Sequence, residues 1–380
     1  MDFDFSDDQT MLRDTVRKWV DKDYDYERRR KIVKAGGFSK EVWRGLADLG
    51  LTGLAVPAEH GGMGFGAVDA MVVMEELGRG LLVEPYAQGA LMSAGMLAGH
   101  APAALQAEWL PKIAGGDALV VLGHHERKAR YRLNHVETTA VADGDAWRLT
   151  GAKGVVPAGD QADAFIVPAR TGGAVDDPAG IALFLVERQA EGVKTRGYAT
   201  QDGAHAADLR LDNARASLLA PVGSGYAALE HGVDIGIAAL CAEGVGAMEK
   251  LLAITVEYMN TRKQFGVTIA TFQALRHRIA DVKMQLELAR SMSYFASLKM
   301  NEPAAARHRA LAQAKLQLGQ SIRYVSQQCI QLHGGIGMTD EYIASHYFKR
   351  LTVMEMTFGD SLHQLGEVAS TMQDTAGVFA

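Results

Sequence analysis

From Gly225 to Asn260 the chain is small and apolar for most of its length. Ile235, Ala238, Ala239, Ala242, Val245, Met248, Leu251 and Leu252 recur at helical spacing. A pattern this long predicts a helix packed on most of its sides. Gly266 breaks the pattern. Thr271 reads as an N-cap, and Phe272 to Met300 resumes helical spacing. The stretch between, Tyr258 to Leu275, is then an interhelix loop carrying Arg262, Lys263, Gln264 and Phe265, with Gln273 just inside the next helix. A guanidinium and an aromatic ring at a helix start can grip a phosphate and stack on a purine. They can equally form a solvated basic loop with one anchoring Phe. A third helix opens near Pro303 and stops at Gly334-Gly335. Two adjacent glycines let a backbone approach a ligand, or simply end a helix.

The remaining helical pattern runs from Asp340 to the end with a break near Gly359, so residues 217–380 predict a four-helix bundle. Residues 1–118 also read as helices. Ser6 caps a segment whose first turn carries Asp7 and Asp8. Ser39 caps Lys40 to Leu49, and Gly50 ends it. A glycine-rich loop follows, Val56 to Phe65, and then Met74-Glu-Glu-Leu-Gly-Arg-Gly80 and Leu110-Pro-Lys-Ile-Ala-Gly-Gly116, whose glycines read as helix stops and turns. Residues 119–216 change character. Leu119–Leu122, Thr138–Val141, Trp147–Thr150, Ala164–Val167 and Ile181–Val186 are strand-like, and Asp143-Gly-Asp145 is a turn signal. Short strands at this spacing suggest a small antiparallel barrel or sandwich. The predicted fold is mainly α with a central β domain.

At 380 residues the chain can bury a large core. Hydrophobic residues at 48% and charged residues at 22% are ordinary for a soluble globular protein. A net charge of −6 argues against nucleic acid as the main partner. The only cysteines, Cys241 and Cys329, both fall inside helix patterns and fit a reducing cytoplasm better than a disulfide framework. The start, Met1-Asp-Phe-Asp, is acidic and lacks a signal-peptide apolar region, and no run is long enough to span a membrane. The histidines make no metal-ligand spacing, so no metal site is expected.

The Arg262-Lys-Gln-Phe-Gly266 loop followed by the Gln331-Leu-His-Gly-Gly335 turn resembles the acyl-CoA dehydrogenase superfamily. The resemblance covers nearly the whole chain: Pro57 to Gly64, Glu75 to Arg79 and Leu110 to Gly116 look like that family's N-terminal helical domain. It implies three domains, helical (1–118), β-barrel-like (119–216) and a four-helix bundle (217–380). It also implies FAD as cofactor, an acyl-CoA substrate and an electron-transfer flavoprotein or similar acceptor. By the resemblance, Arg262 matches the pyrophosphate-binding arginine, Gln264 and Phe265 its neighbours, and Gln273 the adenosine-side glutamine. Gln331, Gly334 and Gly335 match the turn that meets a neighbouring subunit's cofactor, and Asp234 a substrate-side position. The family's reaction removes an α-proton with a carboxylate base and passes a β-hydride to the flavin, creating a 2,3-double bond.

The base is where this sequence departs. The two positions that carry it in the family fall on Phe358 and Gly236. The flavin-facing strand departs as well: a stacking Trp and a hydrogen-bonding Thr become Val155 and Pro157, and a Thr-Glu-Pro strand end becomes His125-Glu-Arg127. Leu240 to Gly246 and Thr357 to Asp360 resemble the small subunit of pimeloyl-CoA dehydrogenase-like enzymes, in which two unlike chains assemble. Glu243, a carboxylate among Cys241, Ala242, Gly244 and Val245, is the candidate base; it can equally shape the pocket or bond a neighbouring helix. Asp360, close to the Phe358 position, is expected to face the cofactor. Three readings stand: a dehydrogenase chain in a homo- or hetero-tetramer, a non-catalytic partner that shares FAD, and a flavin-dependent oxidase or monooxygenase.

Overall fold

A computed structural model describes residues 5–372. The acidic first residues 1–4, and the end of the last predicted helical segment at 373–380, lie outside the described residues. Helices α1 (Asp7–Asp23), α2 (Tyr26–Lys34), α3 (Lys40–Asp48), α4 (Ala67–Arg79), α5 (Ala94–His100) and α6 (Ala103–Ala114) come first. Ser6 forms a reciprocal cap with Gln9, and Ser39 accepts from Val42 N, as their sequence contexts predict.

Seven strands follow: β1 (Val120–Leu122), β2 (Thr139–Asp143), β3 (Ala146–Pro157), β4 (Ala164–Arg170), β5 (Ile181–Glu187), β6 (Val193–Ala199) and β7 (His205–Ala220). Strand β4 pairs with β2 and β5, β2 with β3, β3 with β7, and β7 with β5, so five strands close on themselves. Strands β1 and β6 attach outside the ring, to β4 and β7. This is the barrel-like middle domain. Closure leaves the five ring strands without a free edge, and β4 and β5 are buried along nearly their whole length. The predicted turn at Gly144, with φ +60°, joins β2 to β3. The apolar runs did not reveal β6 and β7.

The chain then forms α7 (Gly225–Thr261), a two-residue-strand hairpin of β8 (Lys263–Gln264) and β9 (Val267–Thr268), and helices α8 (Gln273–Leu298), α9 (Ala304–His333), α10 (Ile343–Met356) and α11 (Ser361–Ser370). The break predicted near Gly359 separates α10 from α11. Thr271 does not cap α8. Its hydroxyl donates to Thr268 O at 2.7 Å inside a 3-10 turn, and Phe272 holds the cap position without a side-chain bond.

The chain divides into two compact units: Met1–Arg30, Ala67–Leu82 and Ile237–Ala380 in one, and Lys31–Gly66 with Val83–Gly236 in the other. In the first, α4 crosses α7 at very short range. A Cβ on Gly246 would stand 1.8 Å from Glu75 O, and one on Gly78 would stand 2.1 Å from Glu243 O. Gly78, read from the sequence as a helix stop, is instead the contact point of two helices. Among the described residues no helix is long and apolar enough to cross a membrane. Both thiols are free and buried; burial pushes Cys241 up to about 12 and Cys329 up to about 11.

Candidate functional site: a strained hairpin, a glycine turn and a bulged strand

The hairpin after α7 carries most of the predicted cofactor residues. Arg262 N donates to Tyr258 O at 2.8 Å, ending the helix, and Ile269 N returns to Arg262 O at 2.9 Å. Between them Lys263 pairs with Thr268 and Gln264 with Val267. The two-residue turn is Phe265 at φ +54° and Gly266 at φ +79°. A left-handed conformation at both positions matches the right-handed twist of a tight hairpin. Gly266 adopts it freely, whereas for a residue with a Cβ it costs about 1–2 kcal/mol. The turn therefore holds a bulky residue against its backbone preference, with its ring 92% exposed and edge-on to Phe272 at 6.2 Å. The Arg262 side chain is exposed and forms no ion pair among the described residues. Gln264 Nε2 donates to Lys263 O at 2.8 Å, and Gln273 is exposed as the first residue of α8.

The hairpin is rooted on the end of α9. Met259, Ile269 and Leu332 form one small core, with Tyr258, Ala270 and Leu275 against it. The Tyr258 ring lies 4.8 Å from that of His333, which lies 5.2 Å from Tyr342. His333 Nδ1 donates to Cys329 O at 2.8 Å, which fixes its tautomer, and burial lowers its pKa, so the ring is neutral. Gly334, at φ +65°, ends α9; a Cβ there or on Gly335 would meet nothing within 4 Å. Gln331 is exposed beside them. The fold thus brings the roots of the two sequence stretches together within one unit.

Glu243 is in a different situation. It is 6% exposed, and both oxygens accept from Arg350 on α10, Nε at 2.7 Å and Nη2 at 2.8 Å. A carboxylate gripped in this bidentate way has both oxygens engaged by one guanidinium. The turn after α10 carries Phe358 at φ +57° and Gly359 at φ +101°. Asp360, expected to face a cofactor, caps α11 by accepting from His363 N at 2.9 Å. Buried Lys315 pins this turn from α9, donating to Glu355 O at 2.9 Å and Gly359 O at 3.1 Å; burial pulls its ammonium down to about 8. Lys315 escaped the sequence reading. Its signal is a lone cation in the buried stripe Leu311, Ala314 and Leu318. Asp234 is 1% exposed in the other unit.

In that unit, the register of β3 against β7 shifts between Lys153 and Val156, and Val155 stands in the bulge at φ +52°, 54% exposed. A β-branched residue in this conformation is a true outlier. The segment after β1 runs beside it: Gly154 N donates to His125 O at 2.9 Å. A buried ion pair locks the two together, Lys153 Nζ to Glu126 Oε1 at 2.6 Å. Glu126 also accepts from Glu137 N, Thr138 N and Thr138 Oγ1. Burial opposes its ionisation, but Lys153 and these donors outweigh it and keep the carboxylate charged. Among the described residues no group of His, Cys, Asp or Glu could hold a metal ion.

The three segments match the N-terminal, middle and C-terminal domain models of acyl-CoA dehydrogenases over residues 6–117, 122–214 and 223–373. A curated relative, acyl-CoA dehydrogenase FadE27 of Mycobacterium tuberculosis, is 28% identical over 99% of this chain and 100% of its own length. A solved variant of the Tcur3481-Tcur3483 steroid ACAD is 30% identical with a TM-score of 0.88, covering 97% of this chain and 98% of that one. The ChsE4-ChsE5 complex from Mycobacterium tuberculosis is 27% identical with a TM-score of 0.88, covering 99% and 100%. The family is one of FAD-dependent flavoproteins. By the match of all three domains along its length, the chain belongs to the acyl-CoA dehydrogenase family.

Proposed function

We propose that this chain is an FAD-dependent acyl-CoA dehydrogenase subunit that introduces a 2,3-double bond into an acyl-CoA thioester, within a mixed assembly whose second chain supplies the base. The carrying observation is the strained hairpin: Phe265 is held exposed and left-handed beside Arg262, which has no ion pair among the described residues. Such strain persists where the surroundings over-determine it, and it clusters at ligand sites.

The residues fit FAD by their chemistry. Arg262 offers a guanidinium for a diphosphate, Phe265 a free ring face for a purine, and Gln264 and Gln273 amides for hydroxyls and ring nitrogens. Gly334 and Gly335 leave backbone unobstructed beside Gln331. Bound FAD supplies a two-electron acceptor. Reoxidation then calls for an acceptor such as an electron-transfer flavoprotein. The free buried thiols support a reducing, cytoplasmic setting.

The mixed assembly is supported by what the chain does with its own carboxylates. Phe358 and Gly236 have no group that takes a proton, and Glu243 is bound to Arg350. Two of the similar structures are named for two proteins together. The departures are those of a subunit related to the pimeloyl-CoA dehydrogenase small chain. Asp234, matched to a substrate-side position, is kept in this reading as a weak contact for the CoA part of the substrate.

The test is flavin uptake. Arg262→Ala should weaken FAD binding by about 10- to 100-fold, as expected for a charge-assisted phosphate contact, while the far-ultraviolet dichroism stays unchanged. Undiminished flavin occupancy in that variant would overturn the cofactor assignment.

A further inference from the structure

The crossing of α4 over α7 carries a carboxylate that the fold does not neutralise. Glu75 lies on α4 where Gly246 of α7 meets its carbonyl oxygen, so its backbone has no room to withdraw. Its side chain is 12% exposed and reaches Arg290 of α8, Nη1 donating to Oε2 at 3.2 Å. The other oxygen, Oε1, is sealed from solvent and has no hydrogen-bond partner among the described residues. An unmatched buried acceptor is costly, and more so when the carboxylate is ionised.

Arg290 does not answer that charge alone. Its Nη2 also serves Glu249 of α7 at 3.3 Å, and its Nε serves Glu287 of α8 at 3.4 Å. All three contacts are longer than the about 2.7–2.9 Å of a close charge-assisted bond. Glu249 and Glu287 are nearly half exposed, so water shares their charge, whereas Glu75 has no such outlet. Glu76, next along α4, is already engaged by Arg17 and Arg79. Arg13 of α1 is the other nearby cation, and its guanidinium lies over the Phe5 ring, 5.4 Å from the centroid. Tyr294 of α8 stays neutral, because burial and Glu75 push its phenol up. Burial pushes the Glu75 carboxyl up to about 7; Glu249 and Glu76 reinforce burial, and Arg290 and Arg13 oppose it. Burial also opposes the charge on Arg290, but Glu75, Glu249 and Glu287 outweigh it. One guanidinium thus faces three carboxylates, and the proton that balances the seam falls on the buried one.

We propose that Glu75 is a proton-operated latch between α4 and α8. As a neutral acid it gains a hydroxyl donor within the seam, and the helices close on it. Ionised, it adds a third negative charge around one guanidinium and loosens α8 from α4. A carboxyl whose folded pKa lies above its unfolded value contributes stability that is fully present below the unfolded value of 4.5 and is lost as the pH rises through about 7. The seam is therefore tightest on the acid side of neutrality.

The experiment uses the full-length protein as purified and the variants Glu75→Gln and Glu249→Gln. The infrared stretch of a protonated carboxyl is followed between about pH 5 and 9. The parent should show one buried carboxyl that loses its proton near neutral pH, and Glu75→Gln should lack it. Glu249→Gln removes a neighbouring charge at a half-exposed position, so it should fold normally and move that titration towards acid pH. Between about pH 6 and 8 the unfolding equilibrium constant of the parent should rise about 10-fold more than that of Glu75→Gln. Over the same range the parent alone should lose hydrogen-exchange protection on α4 and α8. Absence of a buried carboxyl titrating in this range in the parent would overturn the proposal, even if Glu75→Gln fails to fold. So would a pH dependence of unfolding that is identical in the parent and Glu75→Gln.

Discussion

Glu243 shows how one side chain can be conspicuous in sequence and differently employed in structure. Along α7 it is a carboxylate in an apolar run, and burial alone would make it a proton acceptor. Its partner is 107 positions away in the chain, and nothing local announces it. With Arg350 in place the carboxylate ties α7 to α10. Glu243→Gln should therefore destabilise the protein by about 2–3 kcal/mol, towards the lower end for breaking a shielded pair because Arg350 keeps some exposure. Denaturant unfolding measures this. Substrate-driven flavin bleaching in the assembled protein should persist at a comparable rate. Normal stability combined with abolished bleaching would make Glu243 the base after all. Arg262, Phe265 and the Gly334–Gly335 pair were legible for a different reason: their signal is local, a basic and aromatic cluster between helices and a glycine stop. The bidentate pair and the Lys315 clamp are long-range, and only packing reveals them.

At the scale of elements, the long helices could be read because small and apolar residues recur at one period over many turns. Strands β6 and β7 could not. The buried positions of β7 alternate with Arg210, Asp212 and Arg215 and are often alanine, and β6 has no buried position, so the period of two carries little hydrophobic contrast. The α4–α7 crossing was legible only as a glycine in the wrong role. Its geometry makes a sharp prediction. Gly246→Ala places a methyl group against the Glu75 carbonyl, and neither backbone can move without breaking its own helix. The loss should be about 2–3 kcal/mol from overpacking. Gly366→Ala, on α11 where a Cβ meets nothing within 4 Å, is the control and should be neutral or slightly stabilising. Equal unfolding midpoints for the two variants would show that the helices do not cross as described.

At the scale of the molecule, the first unit exposes several large apolar side chains on two of its helices. Met284, Leu288 and Leu298 on α8, and Leu362 and Leu365 on α11, are all substantially exposed. Assembly, predicted as a tetramer, would cover such faces. Light scattering should give a flavin-loaded species larger than the monomer. The chain alone should turn over acyl-CoA about 10²- to 10⁴-fold more slowly than the assembly, the usual cost of a missing general base. Activity should appear on mixing with the second chain. A flavin-loaded monomer with full turnover would contradict both expectations.

Phe265 has a consequence for how such a chain changes over generations. Its backbone conformation favours Gly or Asn, so folding stability alone pulls this position towards them. Only use of the exposed ring pulls the other way. In a duplicated copy released from that use, mutational drift has a stabilising route open at this position from the first step. The hairpin tip is where such a copy would first show that it had stopped binding, well before its helices or its barrel recorded any change.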